Sequence, residues 1–313
     1  MIHLCYTMAL IDLLFLKRSH FFANINLLNV RGKNGFFILF QRNFQLIYNR
    51  ILLICGLLIF ILFSNGCSGN REEIIYNSDN MYTINITEWN KLCGQRLFFG
   101  HQSVGNNILD GIKILNIENN STMLNIVETK DASDFHSPVF AHYRIGKNYD
   151  PTSKIDDFVS TLESGLGSIL DIAFMKLCYV DFNKQTDIYE LFSYYQSEIN
   201  RIETKFPDLK IIHCTVPLTI RPQGLKGVAF MILKKDGNVY RNRYNELLRK
   251  NYNRSDIFDI AAIESKLFNG EPNLYHNGIP AMLDVYASDN AGHLNVNGQK
   301  LLAYHLLKML ISY

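Results

Sequence analysis

The sequence predicts one α/β domain, a three-layer sandwich with a parallel sheet of about five strands and helices on both faces. Three observations lead to this class. Short β-rich runs alternate with segments of helical periodicity along the C-terminal three quarters of the chain. Two of the runs, Ile169–Val180 (ILDIAFMKLCYV) and Leu209–Leu218 (LKIIHCTVPL), are apolar enough to be buried on both faces, as strands inside a parallel sheet must be. No internal repeat or low-complexity segment interrupts the alternation.

In chain order, Arg96–Gly100 is a short strand ending on glycine, and apolar residues at 108, 109, 112, 114, 115 and 117 place a helix over Asn106–Ile117. Met123–Val127 is a second strand and Ile155–Leu166 a helix, with residues 136–150 between them read as a loop. After the two buried strands and the helix Asp187–Phe206 that joins them, Tyr240–Tyr252 is helical, Ile257–Ile263 (IFDIAAI) a fifth strand, and Val296–Ile311 a closing helix. In such sheets ligands bind at the carboxyl ends of the strands, where strand order reverses. The residues to inspect are therefore those just after each strand.

Charge divides the chain. Residues 1–66 carry six basic residues and one acid, whereas the remaining 247 carry a net charge of −3. A body of that charge is a poor partner for a phosphate backbone, which sets nucleic-acid binding aside. The basic N-terminus surrounds Ile51–Phe63 (ILLICGLLIFILF), 13 residues without charge, followed by Ser64-Asn65-Gly66-Cys67. A helix that crosses a bilayer needs about 20 apolar residues, whereas the core of a signal peptide needs about 7–15. Gly66 before Cys67 is similar to a bacterial lipoprotein signal, which implies lipidation of Cys67. The other reading is a short uncleaved anchor, and either puts the body outside the cytoplasm, on a membrane. The expected organisation is an extension with signal over 1–66, a tether over 67–90, and a catalytic domain over 91–313. With Cys5, Cys55 and Cys67 removed or lipidated, Cys93, Cys178 and Cys214 remain, an odd count that describes no disulfide framework. Nine scattered histidines without HExxH or CxxC give no metal site, and no cofactor is expected.

Two segments carry chemistry. Gly100-His101-Gln102-Ser103-Val104-Gly105 sits where a strand turns into a helix, a place from which a Ser hydroxyl can enter the cleft beside unpaired backbone N–H groups. Ser is also a preferred N-cap, and taken alone that is the commoner role. Asp289-Asn-Ala-Gly-His293 lies just ahead of the last helix. It places an acid four residues before an imidazole, and a general base needs a carboxylate on its other nitrogen.

Taken with the runs AHYRIGKNYDP, FMKLCYVDF, IFDIAAIES and GHLNVNG, these segments resemble the SGNH (GDSL-type) esterase and lipase superfamily over Leu97–Leu310. The resemblance implies a flavodoxin-like sheet and hydrolysis of a carboxylic ester, with O-acyl groups on carbohydrate as a substrate class. It implies Ser103 as nucleophile, His293 as base and Asp289 as its orienting carboxylate. The oxyanion would be held by the N–H of Ser103, by Gly146, and by an Asn side chain. Three departures stand out. Gln102 replaces the usual Asp, Asp289 lies four residues before the His instead of three, and Cys178-Tyr179-Val180-Asp181 lacks the Asn of the third block. Either Asn148 supplies that donor or the hole is one donor short. His101, Lys176 and Asp181 are expected to crowd the same cleft, the last two either as substrate contacts or as a salt bridge. A non-catalytic lipoprotein that binds a glycan or envelope component, and an acyltransferase, are the competing functions.

Overall fold

A computed structural model describes residues 82–313 except 119–122, 222–235, 268, 276–277 and 290. The apolar run 51–63, Cys67 and most of the 67–90 tether lie outside the described residues. Among the described residues, no helix is long and apolar enough to cross a membrane.

The chain forms, in order, α1 (Ile86–Cys93), β1 (Arg96–His101), α2 (Val104–Glu118), β2 (Ile126–Glu128), β3 (Val139–Arg144), α3 (Pro151–Glu163), β4 (Ile172–Met175), α4 (Ile188–Lys205) and β5 (Lys210–Cys214). It continues with α5 (Gly237–Asn251), β6 (Ile257–Phe258), α6 (Ile260–Glu264), the two-residue strands β7 (Leu274–Tyr275) and β8 (Ile279–Pro280), and α7 (Val296–Ile311). Among the described residues the main sheet has six strands in the order β2-β3-β1-β4-β5-β6, every neighbouring pair parallel. Strand order reverses at β1, which has β3 on one side and β4 on the other. The loop that follows β1 therefore opens at the switch point.

Alternation along the strands builds two cores. Leu97, Phe99 and Phe174 face one side, with α1, α2 and α7; Phe98, Ala173 and Met175 face the other, with α3, α4 and α5. Gly111 lets α2 approach α7 closely, because a Cβ there would lie 2.1 Å from the Gln299 carbonyl oxygen. Side-chain caps start the helices. Asp187 accepts from the Tyr189 and Glu190 amides, Asp150 from Ser153 with Pro151 in the first turn, and Asn295 from Gly298.

Several boundaries correct the sequence reading. The sheet gains β3, which lies inside the expected 136–150 loop. His142 and Arg144 make that run look polar, yet Val139, Phe140 and Ala141 are buried between β1 and β2. The expected fifth strand, Ile257–Ile263, pairs only over Ile257 and Phe258. Asp259 then accepts from the Ala262 amide and starts α6. The first run shortens to Ile172–Met175, after which Tyr179–Asp181 make a 3₁₀ turn, and the second to Lys210–Cys214. The domain also begins before residue 91, because α1 falls in the expected tether and buries Trp89 and Leu92 in the core.

Candidate active site

β1 runs buried from Leu97 to His101 and delivers Gln102 and Ser103 to the switch point. Ser103 adopts φ +43°, a left-handed conformation rare outside glycine that costs about 1–3 kcal/mol and clusters at functional sites. The turn is held on both sides. The Gly105 and Asn106 amides donate to the Gln102 and Ser103 carbonyls, and Gln102 Nε2 donates to the Ile145 and Gly146 carbonyls at 3.1 Å each. At the residue that departs from the usual Asp, the amide thus ties the serine turn to the loop after β3.

His293 reaches Ser103 from the other end of the chain. Its Nε2 lies 2.6 Å from Ser103 Oγ, and its Nδ1 lies 2.5 Å from Asp289 Oδ2. The carboxylate can only accept, so it fixes the proton on Nδ1 and leaves Nε2 to accept from the serine hydroxyl. The four-residue spacing closes because the loop wraps around the carboxylate: the Ala291 and His293 amides both donate to Asp289 Oδ1, at 2.9 and 3.2 Å. Partial burial works against the ionised carboxylate, but the hydrogen bonds from His293 and the two amides outweigh it and hold its pKa below the ordinary value. The loop is anchored by Asn107 Oδ1, which accepts from the Leu294 amide, by Ile220 N–H, which donates to the Ala291 carbonyl, and by Tyr179, whose ring meets His293 edge-on.

The oxyanion donors divide. The Ser103 N–H has no protein acceptor among the described residues, as an oxyanion donor requires. Gly146 is a correction, because its N–H is spent on Asp157 Oδ2 at 2.9 Å. Its φ of +56° and its packing on Lys154, where a Cβ would lie 2.5 Å from the backbone nitrogen, make glycine a steric requirement there. Asn148 Oδ1 accepts from Lys154 Nζ at 3.2 Å, which fixes the amide's orientation and leaves its NH₂ end without a protein acceptor among the described residues.

Lys154 also corrects the expected salt bridge. Asp181 pairs with Lys154, at 2.6 and 2.7 Å with both side chains fully buried, and not with Lys176. Asp181 further accepts from the Tyr149 and Cys178 amides, so this one pair joins the loop after β3 to the loop after β4. Replacing Lys154 with Met leaves a buried carboxylate unpaired. It is expected to cost about 3–5 kcal/mol of folding free energy in a urea titration, and a loss near zero would show that the pair does not carry the loops.

Lys176, His101 and Asp181 are all buried. Lys176 Nζ donates to Cys178 Sγ at 3.3 Å. His101 Nε2 lies 3.1 Å from His142 Nδ1, and α2 begins against its ring, where a Gly105 Cβ would sit 2.3 Å from His101 Cβ. Burial, then the charges of Lys176, His142 and Arg144, push the His101 pKa down to about 2, so this imidazole is neutral. His142, expected in a loop, belongs to β3 and is buried with it.

One support was invisible in the sequence. Glu264, fully buried, accepts from the Leu218 amide, in the segment whose next residues hold the His293 loop. Burial raises its pKa to about 8, against weaker lowering by the Leu218 hydrogen bond and Arg241. An acid whose pKa is raised by folding stabilises the fold below its ordinary range and loses that contribution as pH rises towards the folded value. Thermal midpoints are therefore expected to fall between about pH 5 and about pH 8 through this group, and Glu264→Gln should flatten that fall. An equal fall in the variant would remove Glu264 as its source.

No protein-family model and no curated protein matches the chain. Among solved structures, the chain is similar to a protein of Desulfitobacterium hafniense assigned to the lipolytic G-D-S-L family, at 9% identity and a TM-score of 0.36, covering 69% of this chain and 99% of that one. It is also similar to a carbohydrate esterase family 3 protein from Talaromyces cellulolyticus, at 12% identity and 0.35, covering 69% and 95%. A third is the periplasmic domain of a lipopolysaccharide acetyltransferase from Salmonella ser. Paratyphi A, at 13% identity and 0.36, covering 70% and 87%. Likeness this distant says nothing of substrate.

Proposed function

We propose that the protein is an extracytoplasmic serine esterase that hydrolyses a carboxylic ester, with O-acyl groups on carbohydrate as its substrate class. The observation that supports this most is the unbroken run of hydrogen bonds from Asp289 through His293 to Ser103 Oγ. As Oγ adds to the ester carbonyl, Nε2 takes its proton, and Asp289 stabilises the imidazolium. The oxyanion is held by Ser103 N–H and by Asn148 Nδ2. Collapse of the intermediate breaks the ester C–O bond, the departing alcohol receives the proton from Nε2, and the acyl group stays on Ser103. Water, deprotonated by Nε2, then adds to the acyl-enzyme; collapse of that intermediate breaks the acyl–Oγ bond, Nε2 returns the proton to Ser103 Oγ, and the acid leaves.

A serine-reactive fluorophosphonate is expected to label the full chain on the peptide that contains Ser103. The loss of the Gly146 donor favours a competing reading, a non-catalytic binder on the same fold. Absence of labelling, with the protein folded, would decide for it. The location rests on 51–63 and Cys67. Cys67→Ala is expected to release the body from the membrane or leave the precursor uncut; continued membrane attachment with 1–66 retained would make the segment an uncleaved anchor.

A further inference from the structure

The loop that presents Asn148 carries a second feature that hydrolysis itself does not use. Tyr149 is a non-glycine residue with φ +67°, and yet it is 74% exposed. A residue in that conformation costs about 1–3 kcal/mol and persists only where its surroundings over-determine it. Here they do, because its N–H donates to Asp181 Oδ1 at 2.9 Å, and Asp181 is the buried partner of Lys154. The backbone that carries an exposed aromatic ring is thus fixed, at a conformational cost, one residue from the proposed oxyanion donor.

That ring stands on the rim of a groove of about 460 Å³ between the start of α3 and the start of α4. Asn183, Gln185, Thr186, Glu190 and Tyr194 contribute to its walls. Among the described residues the lining includes amides, hydroxyls and carboxylates, and no lysine or arginine. Asn183 Oδ1 is engaged by the Gln185 amide, which leaves its NH₂ end, like the side chains of Gln185 and Glu190, without a protein partner among the described residues. A flat apolar face beside unengaged amides and a carboxylate suits a pyranose ring, whose C–H face stacks and whose paired hydroxyls bridge planar polar groups. The absence of a cation from the lining disfavours a uronate or a phosphorylated sugar.

We propose that this groove is the saccharide subsite of the enzyme: a neutral pyranose stacks on Tyr149, and its hydroxyls bond Asn183, Gln185 and Glu190. The assignment rests on the esterase reading for its place in catalysis, but its test does not depend on turnover. The full chain carrying Ser103→Ala is titrated by calorimetry with xylotetraose, with N-acetylchitotetraose and with tetragalacturonate. At least one neutral oligosaccharide is expected to bind, and the galacturonate to bind about tenfold more weakly or not at all. Tyr149→Ala in that background should weaken binding by about tenfold, the worth of a good aromatic contact, whereas Tyr149→Phe keeps the ring and should bind like its parent. Glu190→Gln, on an exposed helical turn, tests the polar wall without touching the strained loop and should also weaken binding. Binding of no neutral oligosaccharide, or binding that ignores both Tyr149→Ala and Glu190→Gln, overturns the subsite. Failure of the fluorophosphonate to label Ser103 would instead overturn the esterase and leave a saccharide-binding groove standing.

Discussion

Ser103→Ala is expected to reduce ester hydrolysis by about 10⁶-fold, to the level given by binding and oxyanion contacts alone. The reason is that Ser103 Oγ is the atom to which both the base and the incoming acyl group are directed, 2.6 Å from His293 Nε2. His293→Ala should fall equally far, and the double variant no further, because groups that act as one unit are not additive. The measurement is steady-state hydrolysis of an activated acetyl ester, with the fluorophosphonate adduct as a second readout. Each variant should keep the wild-type thermal midpoint to within a few degrees, since alanine at 103 inherits the same strained φ. A variant that hydrolyses near the wild-type rate would place the nucleophile elsewhere.

Asp289→Asn has the next largest expected effect, a loss of about 10⁴ in turnover. Asparagine can keep its oxygen under the Ala291 and His293 amides, so the loop survives. What changes is the other end, which now offers an N–H to Nδ1 where the carboxylate accepted one. The imidazole then carries its proton on Nε2, facing a serine whose proton it can no longer take. Activity close to wild type in this variant, with none in His293→Ala, would make the site a Ser–His dyad and reduce Asp289 to a loop anchor.

Position in the chain was informative where one element carried the signal by itself. The closing helix reads from its apolar spacing at the same boundaries, Val296–Ile311, that the structure has. Ser103 stood out because it lies where β1 gives way to α2, and Asp289 and His293 because they share one short loop ahead of the closing helix. What could not be read depends on partners far apart in sequence. Nothing local to Lys154 announces a carboxylate 27 residues on, and a lysine in the first turns of a helix is ordinarily solvated. Gly146 fits by position the pattern that the sequence resembles, and only the fold shows that Asp157, nearly two turns into α3, takes its N–H. β3 went unread because HSPVFAHYR mixes histidine and arginine with its apolar residues. With β1 on one side and β2 on the other, the strand buries His142, which finds His101, and leaves Arg144 exposed at its end.

The Lys154–Asp181 pair holds Asn148 and the backbone of Tyr149 with the same few atoms. That sharing limits how such an enzyme can change. On the roles proposed for Asn148 and Tyr149, a lineage that alters this loop to accept a new sugar cannot do so at constant rate, because the fastener that sets the Tyr149 backbone also aims the amide. Selectivity and speed would then be a single inherited trait, and drift in one is expected to drag the other. Diversification is freer on the far wall, at Gln185 and Glu190, where a substitution alters what is held and leaves the fastener alone. Libraries built on that wall should retain active members at a higher frequency than libraries built on residues 146–150.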